Sequence, residues 1–537
     1  MDVSENLSNR ANRLTVPETN GFRIHLINPA NVRSGFAVMT PRWMPVLAAA
    51  TPSPWINRLR LCDMAVDQLD YGTIKDQDLV GLSLHTLNAA RGYEIIRSIK
   101  ACSKATVAVG GVHVTVCPDE ALEFGADAVV TGDGERIWPD VVNDFAAGRM
   151  KQCYDGGRIA SDLFISAPRW DLTNHRRYMM ATVQTTRGCP EKCTFCSVWR
   201  TDGRTVRFRT LDDTIGEINN LHRFGFRMIV LADDNFFAVG AGNESQRELI
   251  LKDRMELMRR LEFETPSDLT FLTQTTIRTA EDETFMNAMR RARIRGVLIG
   301  VESIDSKTLA SLNKTFNKSG LDLVDAVDRI QRHGIYVLGS YIVGLAQDDA
   351  NTPARMLEIA QKSNMALAQF VQYTFFPGTV DHNMLARGKH ALTLVPGFER
   401  FWLVKARERK FLIHPTLTER QIRAAMSYLW DGFYSTNAVI RRGLRLGLRS
   451  ARHLFAYLVF CKFYKRVYAG YGMSADSART VEVGWFTRWL GQHTVQSLKG
   501  PLNAPASSNV SAPLSHELPP GLTTRDGRAK HNSSALS

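Results

Sequence analysis

Twice along this chain, short apolar runs of strand length alternate with segments of helical period, and no other feature restricts the fold as much. The first series has runs at residues 23–29, 59–64, 79–84, 106–110 and 128–131, with helical stretches at 89–101 and 135–145. Strands that are apolar throughout, rather than alternating, are buried on both faces. With helices between them they predict a parallel sheet covered by helices on each side. Five such strands over residues 21–150 fit an α/β domain of flavodoxin-like (Rossmann-like) type, whose ligand crevice lies at the carboxyl ends of the strands. Ser83, His85 and Thr86 follow the third strand, Gly110, Gly111 and His113 the fourth, and Gly132 and Gly134 the fifth. Glycine at such an end lets a ligand come close to the backbone.

After a linker at 151–180, a second series occupies residues 181–380. Its strands read at 181–185, 228–232, 269–273, 296–301, 335–343 and 368–373, with helices such as 211–224, 281–293 and 320–333. Six βα units predict a partial (β/α)6 barrel of TIM type, whose active site belongs at the C-terminal strand ends. Residues 381–495 read as a basic, mainly helical domain, with 15 Lys and Arg against four acidic residues between Gly397 and Gly470. The lead-in at 1–20 and the Pro-, Ser-, Asn- and Ala-rich tail at 496–537 are too polar to build a core and are expected to be disordered.

Three of the eight cysteines, Cys189, Cys193 and Cys196, lie within eight residues, just after the first barrel strand. The N-terminus lacks the apolar region of a secretory leader, so the chain is expected in the cytoplasm, where such a cluster points to metal rather than disulfides. A structural zinc wants four ligands, and the two conceivable additions, Cys153 and His175, lack a characteristic spacing. An iron–sulfur cubane ordinarily takes four thiolates; three would leave one iron open to a substrate or cofactor.

The spacing Cys189-x3-Cys193-x2-Cys196, with Phe195 before the third cysteine, resembles the signature of the radical S-adenosylmethionine (SAM) superfamily. The resemblance implies a [4Fe-4S] cluster on these three cysteines. SAM would chelate the open iron and be cleaved reductively to methionine and a 5'-deoxyadenosyl radical. It further implies SAM contacts from Phe195, from Asp233, Asp234 and Asn235 after the second strand, and from Gln274 at the end of the third. Glu302 and Ser303 would lie at the ribose and Gly344 on the adenine side. A one-electron donor such as flavodoxin or ferredoxin is implied as a partner.

The domain in front makes the whole similar to the cobalamin-binding branch of that superfamily, which includes hopanoid and bacteriochlorophyll methylases and porphyrin cyclases. Cobalamin would then meet Ser83, Thr86, Gly110, Gly111, Gly132 and Gly134. The Asp-x-His-x-x-Gly motif of histidine-ligated cobalamin is missing: the first strand runs into Asn28-Pro-Ala-Asn-Val-Arg33. The lower face of cobalt is therefore not expected to carry a histidine, and His85 and His113 are read as satisfying backbone groups. The implied activity is methylation of an unactivated carbon in a lipid-like or polycyclic substrate, through methylcobalamin. The alternatives are a cyclase or coupling enzyme without methyl transfer, and a non-catalytic cobalamin or redox sensor. No catalytic acid or base is assigned.

The net charge of +13 favours anionic partners. Arg441, Arg445, Arg449 and Arg452 recur every three or four residues, which predicts one basic helix face. Followed by Leu454, Phe455, Tyr457 and Leu458, it suits peripheral contact with an anionic membrane, or else a solvated face packed on the barrel. No run nears the roughly 18 apolar residues of a spanning helix. Nucleic acid is not expected, because no RNA-binding module or stacking pattern accompanies the charge.

Overall fold

The first apolar series forms a six-stranded sheet, and every strand pairing in it is parallel. In the computed structural model the described residues are 21–161, 164–165, 167–240, 244–404, 412–471 and 479–480. They belong to one compact unit, Met1–Leu502. The lead-in and tail expected to be disordered lie outside the described residues.

The strands of this sheet are β1 (Ile24–Asn28), β3 (Leu59–Asp63), β4 (Leu79–Ser83), β5 (Thr106–Gly110), β6 (Ala128–Thr131) and β7 (Cys153–Asp155), in spatial order β3-β1-β4-β5-β6-β7. The order reverses beside β1, which places the crevice at the strand ends there, as doubly wound sheets require. Helices α2 (Ala89–Cys102) and α5 (Gly134–Ala146) fall where the sequence puts them. Not every element does. Strand β7 lies in the stretch read as linker, and α1 (Trp43–Ala50) was read as nothing regular.

Between β1 and α1 the chain leaves its own sheet. Strand β2 (Ala37–Met39) pairs in parallel with the first barrel strand, β8 (Tyr178–Val183), joining Ala37 to Tyr178 and Met39 to Met180. Thr40 continues the junction, with Thr182 N donating to its Oγ1 and Thr182 Oγ1 donating to its carbonyl, each at 3.0 Å. The second sheet thus has seven strands, in order β13-β12-β11-β10-β9-β8-β2, and does not close on itself. Its remaining members are β9 (Met228–Leu231), β10 (Thr270–Thr275), β11 (Ile294–Glu302), β12 (Tyr336–Val343) and β13 (Leu367–Gln372). Buried apolar side chains from the strands and their outer helices make one core; Ile229, Phe271, Ile299 and Val337 are wholly buried in it.

An open edge needs covering. At β13 the C-terminal helices supply the cover, helped by α13 (Glu419–Phe433), which Thr418 and Gln421 cap reciprocally. Tyr434, just beyond that helix, acts as a surrogate strand neighbour: Ala368 N donates to its hydroxyl at 3.1 Å, and the hydroxyl donates to Ala368 O at 2.7 Å. Trp430 Nε1 donates to Phe370 O at 3.1 Å.

The four arginines predicted on one helix face do not share a helix. Arg441 and Arg445 lie on α14 (Thr436–Arg445), Arg452 lies on α15 (Ala451–Tyr471), and Arg449 sits in the turn between them. Gly447, at φ 81°, makes that turn in a backbone region that a β-carbon disfavours. No described helix is long and apolar enough to cross a membrane.

Candidate active site

The cysteine loop leaves β8 and is fastened from several sides. Gly188 N donates to Asp234 Oδ2 at 2.7 Å, Cys189 N to Gly203 O at 3.1 Å, Cys196 N to Cys193 O at 3.2 Å, and Thr194 N to Leu312 O at 3.1 Å. Cys193 is buried, and Cys189 and Cys196 are partly so. Burial pushes the Cys189 and Cys196 thiols up to about 12 and Cys193 up to about 11. The three are electrostatic neighbours of one another. Among the described residues no three His, Cys, Asp or Glu side chains close on a point as ligands of a single ion do. Cys153 is exposed on the edge strand β7, and His175 packs on the Phe224 ring.

The donor set fits an iron–sulfur cluster. A further observation fits SAM: Asn235 is buried beside Cys189, with Nδ2 3.9 Å from its sulfur, and its Oδ1 is buried with no hydrogen-bond partner. An unused acceptor in such a place suits an ammonium donor. The other expected SAM residues differ in how free they are. Asp233 is fully buried and fully engaged, accepting from Thr185 N at 2.6 Å, Thr186 N at 2.9 Å, the Thr185 hydroxyl, and Arg254 at 3.1 Å. It fastens the turn after β8. Burial first, and then Asp202, raises Asp234 to about 7. Gln274 donates to the carbonyls of Asp233 and Asp234, at 2.7 and 3.0 Å, and so shapes their loop. Glu302 pairs with Lys314 at 2.6 Å. Ser303 Oγ accepts from Asp305 N at 3.2 Å, and Gly344 N donates to Asp348 at 2.8 Å. Phe195 is half-buried, its ring centre 5.9 Å from Lys314 Nζ.

A cavity of about 300 Å³ lies where the two sheets' strand ends meet. From the first sheet it is lined by Ser83, Gly110, Gly111, Gly132 and Gly134, five of the six positions expected at cobalamin. From the barrel it is lined by Gln184, Arg187, Thr201, Asp202 and Ala232. Thr86 is absent from the lining; it is buried, with Oγ1 3.3 Å from His113 Nδ1. The hydroxyl and strand-end backbone fit the carboxamides that ring a corrinoid, which exchange hydrogen bonds with such groups. Gly111 has a second reason to be glycine: at φ 99° its β-carbon would fall 2.5 Å from Leu84 O.

His113 is not placed as a free ligand. His113 is wholly buried, 3.0 Å from Glu120 Oε1 and edge-on to Trp402. Glu120 also accepts from Tyr93 at 2.9 Å and Trp402 at 2.8 Å. Burial would raise its pKa, but these hydrogen bonds hold it below its ordinary range. His85 is accessible yet closely surrounded, and that crowding, with His113 beyond, lowers its pKa.

Sequence reasoning missed Arg187, Arg207 and Asp133. Arg187 pairs with Asp133 at 2.7 Å and with Glu135, while Arg207 reaches the other oxygen of Asp133 at 2.7 Å. Their only signal was position: Asp133 sits inside a strand-end Gly-Asp-Gly, and Arg187 two residues before Cys189.

The Radical SAM superfamily model matches residues 183–359, and the B12 binding domain model matches residues 34–142. This chain is a radical SAM protein with a B12-binding domain. The cofactors that go with those domains are a [4Fe-4S] cluster, SAM and cobalamin. Among such radical SAM proteins, the chain is 25% identical over 342 residues to a bacteriochlorophyllide d C-8(2)-methyltransferase of Chlorobaculum tepidum, covering 62% of this chain and 73% of the relative. It is 25% identical over 335 residues to the hopanoid C-2 methylase of Rhodopseudomonas palustris, covering 62% and 61%. The chain therefore spans about two thirds of the length of such relatives. Its fold is shared with the radical SAM methyltransferase TsrM from Kitasatospora setae, solved with cobalamin and a [4Fe-4S] cluster. That match has a TM-score of 0.59 at 17% identity and covers 83% of this chain and 99% of the other.

Proposed function

We propose that this chain methylates an unactivated carbon of a lipid-like or polycyclic small molecule, using SAM, a [4Fe-4S] cluster and cobalamin. The observation that carries this reading is a cavity lined by both sheets: Gly110, Gly111 and Gly132 face it from one, and Arg187, two residues from Cys189, from the other. A methyl carrier and a radical source held there share one workplace.

Cys189, Cys193 and Cys196 hold the cluster, and Asn235 receives the SAM amino group. Glu302 is directed at the ribose, while Phe195, Gln274, Ser303 and Gly344 shape the walls around it. Asp233 and Asp234 act on the loop rather than on SAM. Ser83, Gly110, Gly111, Gly132 and Gly134 receive cobalamin, with Thr86 supporting them through His113. When bound, the cofactors supply the radical and the methyl group, and the protein positions them and excludes water. The residue spans 21–150, 181–380 and 381–495 serve as the cobalamin, radical and covering domains.

Two partners complete the reading. A one-electron donor of flavodoxin or ferredoxin type reaches the cluster beside Lys192 and Arg200, both exposed on or next to the cysteine loop. An anionic membrane surface meets the turn between α14 and α15, so the protein works in the cytoplasm at the membrane periphery. In support, Arg441, Arg445, Arg449 and Arg452 have no ion pair among the described residues, and Leu444 and Phe455 beside them are 53% and 64% exposed.

The deciding experiment is anaerobic incubation of reconstituted enzyme with methyl-labelled SAM and either a bacteriochlorophyllide or a hopanoid. Label in substrate carbon is expected, with both 5'-deoxyadenosine and S-adenosylhomocysteine as products. Deoxyadenosine without S-adenosylhomocysteine would instead make it a cyclase or coupling enzyme. Cys193→Ala should lose the cluster iron and form no deoxyadenosine.

A further inference from the structure

The segment Leu312–Asn317, which follows the short helix α9 (Ser306–Ser311), touches both halves of the radical site. Toward the cysteine loop, Leu312 O accepts from Thr194 N at 3.1 Å, and Asn313 Nδ2 donates to Lys192 O at 3.0 Å. Toward the end of β11, Lys314 Nζ donates to Gly300 O at 2.9 Å and to Glu302 Oε1 at 2.6 Å. Asn317 Nδ2 donates to Gly300 O at 2.8 Å and Val301 O at 3.0 Å.

What this strap holds is not ordinary strand. The register of β11 on β12 slips between Gly300 and Glu302, and Glu302 sits at φ 62°, in the left-handed region that a side chain disfavours. A conformation of that kind persists only where its surroundings fix it. Lys314 and Asn317 supply the fixing, because they donate to the carbonyls of Gly300 and Val301, beside the slip. Gly300 leaves room for it: a β-carbon there would collide with Glu302 Oε1 and come 2.7 Å from Lys314 Nζ.

Lys314 also carries a charge into a dry place. Both it and Glu302 are buried. An ammonium has three donors, of which two are taken, by Gly300 and Glu302. The rings of Phe195 and Phe316 have their centres 5.9 and 5.7 Å away, and Cys193 and Cys196 are its electrostatic neighbours. A fixed cation beside a cluster favours the form with the added electron, since net charge and surroundings set cluster potentials.

We infer that Lys314 is a positioning residue with two tasks, aiming the Glu302 carboxylate and making the neighbouring cluster easier to reduce. The inference rests on Cys189, Cys193 and Cys196 being the cluster ligands. The test is a redox titration of the reconstituted cluster, followed by electron paramagnetic resonance, in four proteins: wild type, Glu302→Gln, the double variant Glu302→Gln/Lys314→Met, and Lys314→Arg. Glu302→Gln removes the counter-charge and should raise the potential. The two Gln variants differ only in the ammonium, so the double variant should be harder to reduce than Glu302→Gln. The expected gap is at least tenfold in the one-electron equilibrium constant, or 59 mV. Lys314→Arg should stay near wild type. A gap below tenfold, or a fall in potential in Glu302→Gln, would overturn the inference while leaving the cluster assignment intact. A wild-type chain that takes up no cluster would overturn both.

Discussion

Arg187 Nη1 lies 2.7 Å from Asp133 Oδ1, and this contact joins the loop that leads into the cysteines to the strand-end loop of the other sheet. Both side chains are about nine-tenths buried. A charge pair at that depth is poor evidence of net stability, but breaking one strands a carboxylate in a dry place.

Removing Arg187 should therefore cost more than losing an exposed ion pair. Arg187→Met leaves Glu135 without its charge partner and Asp133 with Arg207 and the Ile159 amide. The expected loss in unfolding free energy is about 3–5 kcal/mol, read from urea midpoints. A loss under about 1 kcal/mol, the scale of an exposed pair, would mean that this buried pair contributes little to the junction.

The same pair sets an acid limit. Burial would raise the Asp133 pKa, but Arg187 and Arg207 hold it below its ordinary range. A carboxylate depressed on folding adds stability that is complete above its unfolded value, about 3.9, and is lost as pH falls through the lower folded one. Unfolding free energies measured from pH 7 to pH 3 should fall more steeply in wild type than in Asp133→Asn below about pH 4.

His113 should prove structural. His113→Ala takes one partner from buried Glu120, at an expected cost of about 1–3 kcal/mol. The resonance spectrum of bound cob(II)alamin should be unchanged, with no splitting from a protein nitrogen in either protein. Splitting that disappears in the variant would make His113 a cobalt ligand.

Gly300→Ala should separate folding from SAM binding. The added methyl meets the flexible ends of Glu302 and Lys314, which can move apart, so the melting temperature should shift by only a few degrees, about 1 kcal/mol. SAM affinity, measured by calorimetry on cluster-loaded protein, should fall about tenfold, or 1.4 kcal/mol. Unchanged affinity would mean that the aim of Glu302 does not matter.

Vesicles containing anionic lipid should sediment with the protein at low salt and release it as salt rises, because exposed charges are screened. Replacing Arg441, Arg445, Arg449 and Arg452 with Glu should abolish sedimentation. Equal binding to neutral vesicles would remove the electrostatic part of the reading.

Most strands of both sheets were legible because buried parallel strands write themselves as unbroken apolar runs; residues 79–84 and 128–131 needed little more. What escaped was short or lacked a period. Helix α1, with the sequence Trp-Met-Pro-Val-Leu-Ala-Ala-Ala, has no polar face to reveal a helical repeat. Strand β7 is three residues long, with only Tyr154 buried. At the site, the cysteines were legible through spacing alone. The commitments of Asp233 to Thr185 and of Glu302 to Lys314 were not, since spacing says nothing about which buried partner a carboxylate will find.

Strand β2 reaches out of the first sheet to finish the second, and this bears on how the molecule could be taken apart. The barrel is completed at that edge by residues that precede it by some 140 positions, as Thr40 and Thr182 show. A fragment cut at the linker and expressed alone would carry β8 as a bare, sticky border, inviting self-association. Nor can the halves swing open like a clam shell without unzipping a seam. A corrinoid guest must enter by local loosening of the mouth rather than by wholesale hinge motion.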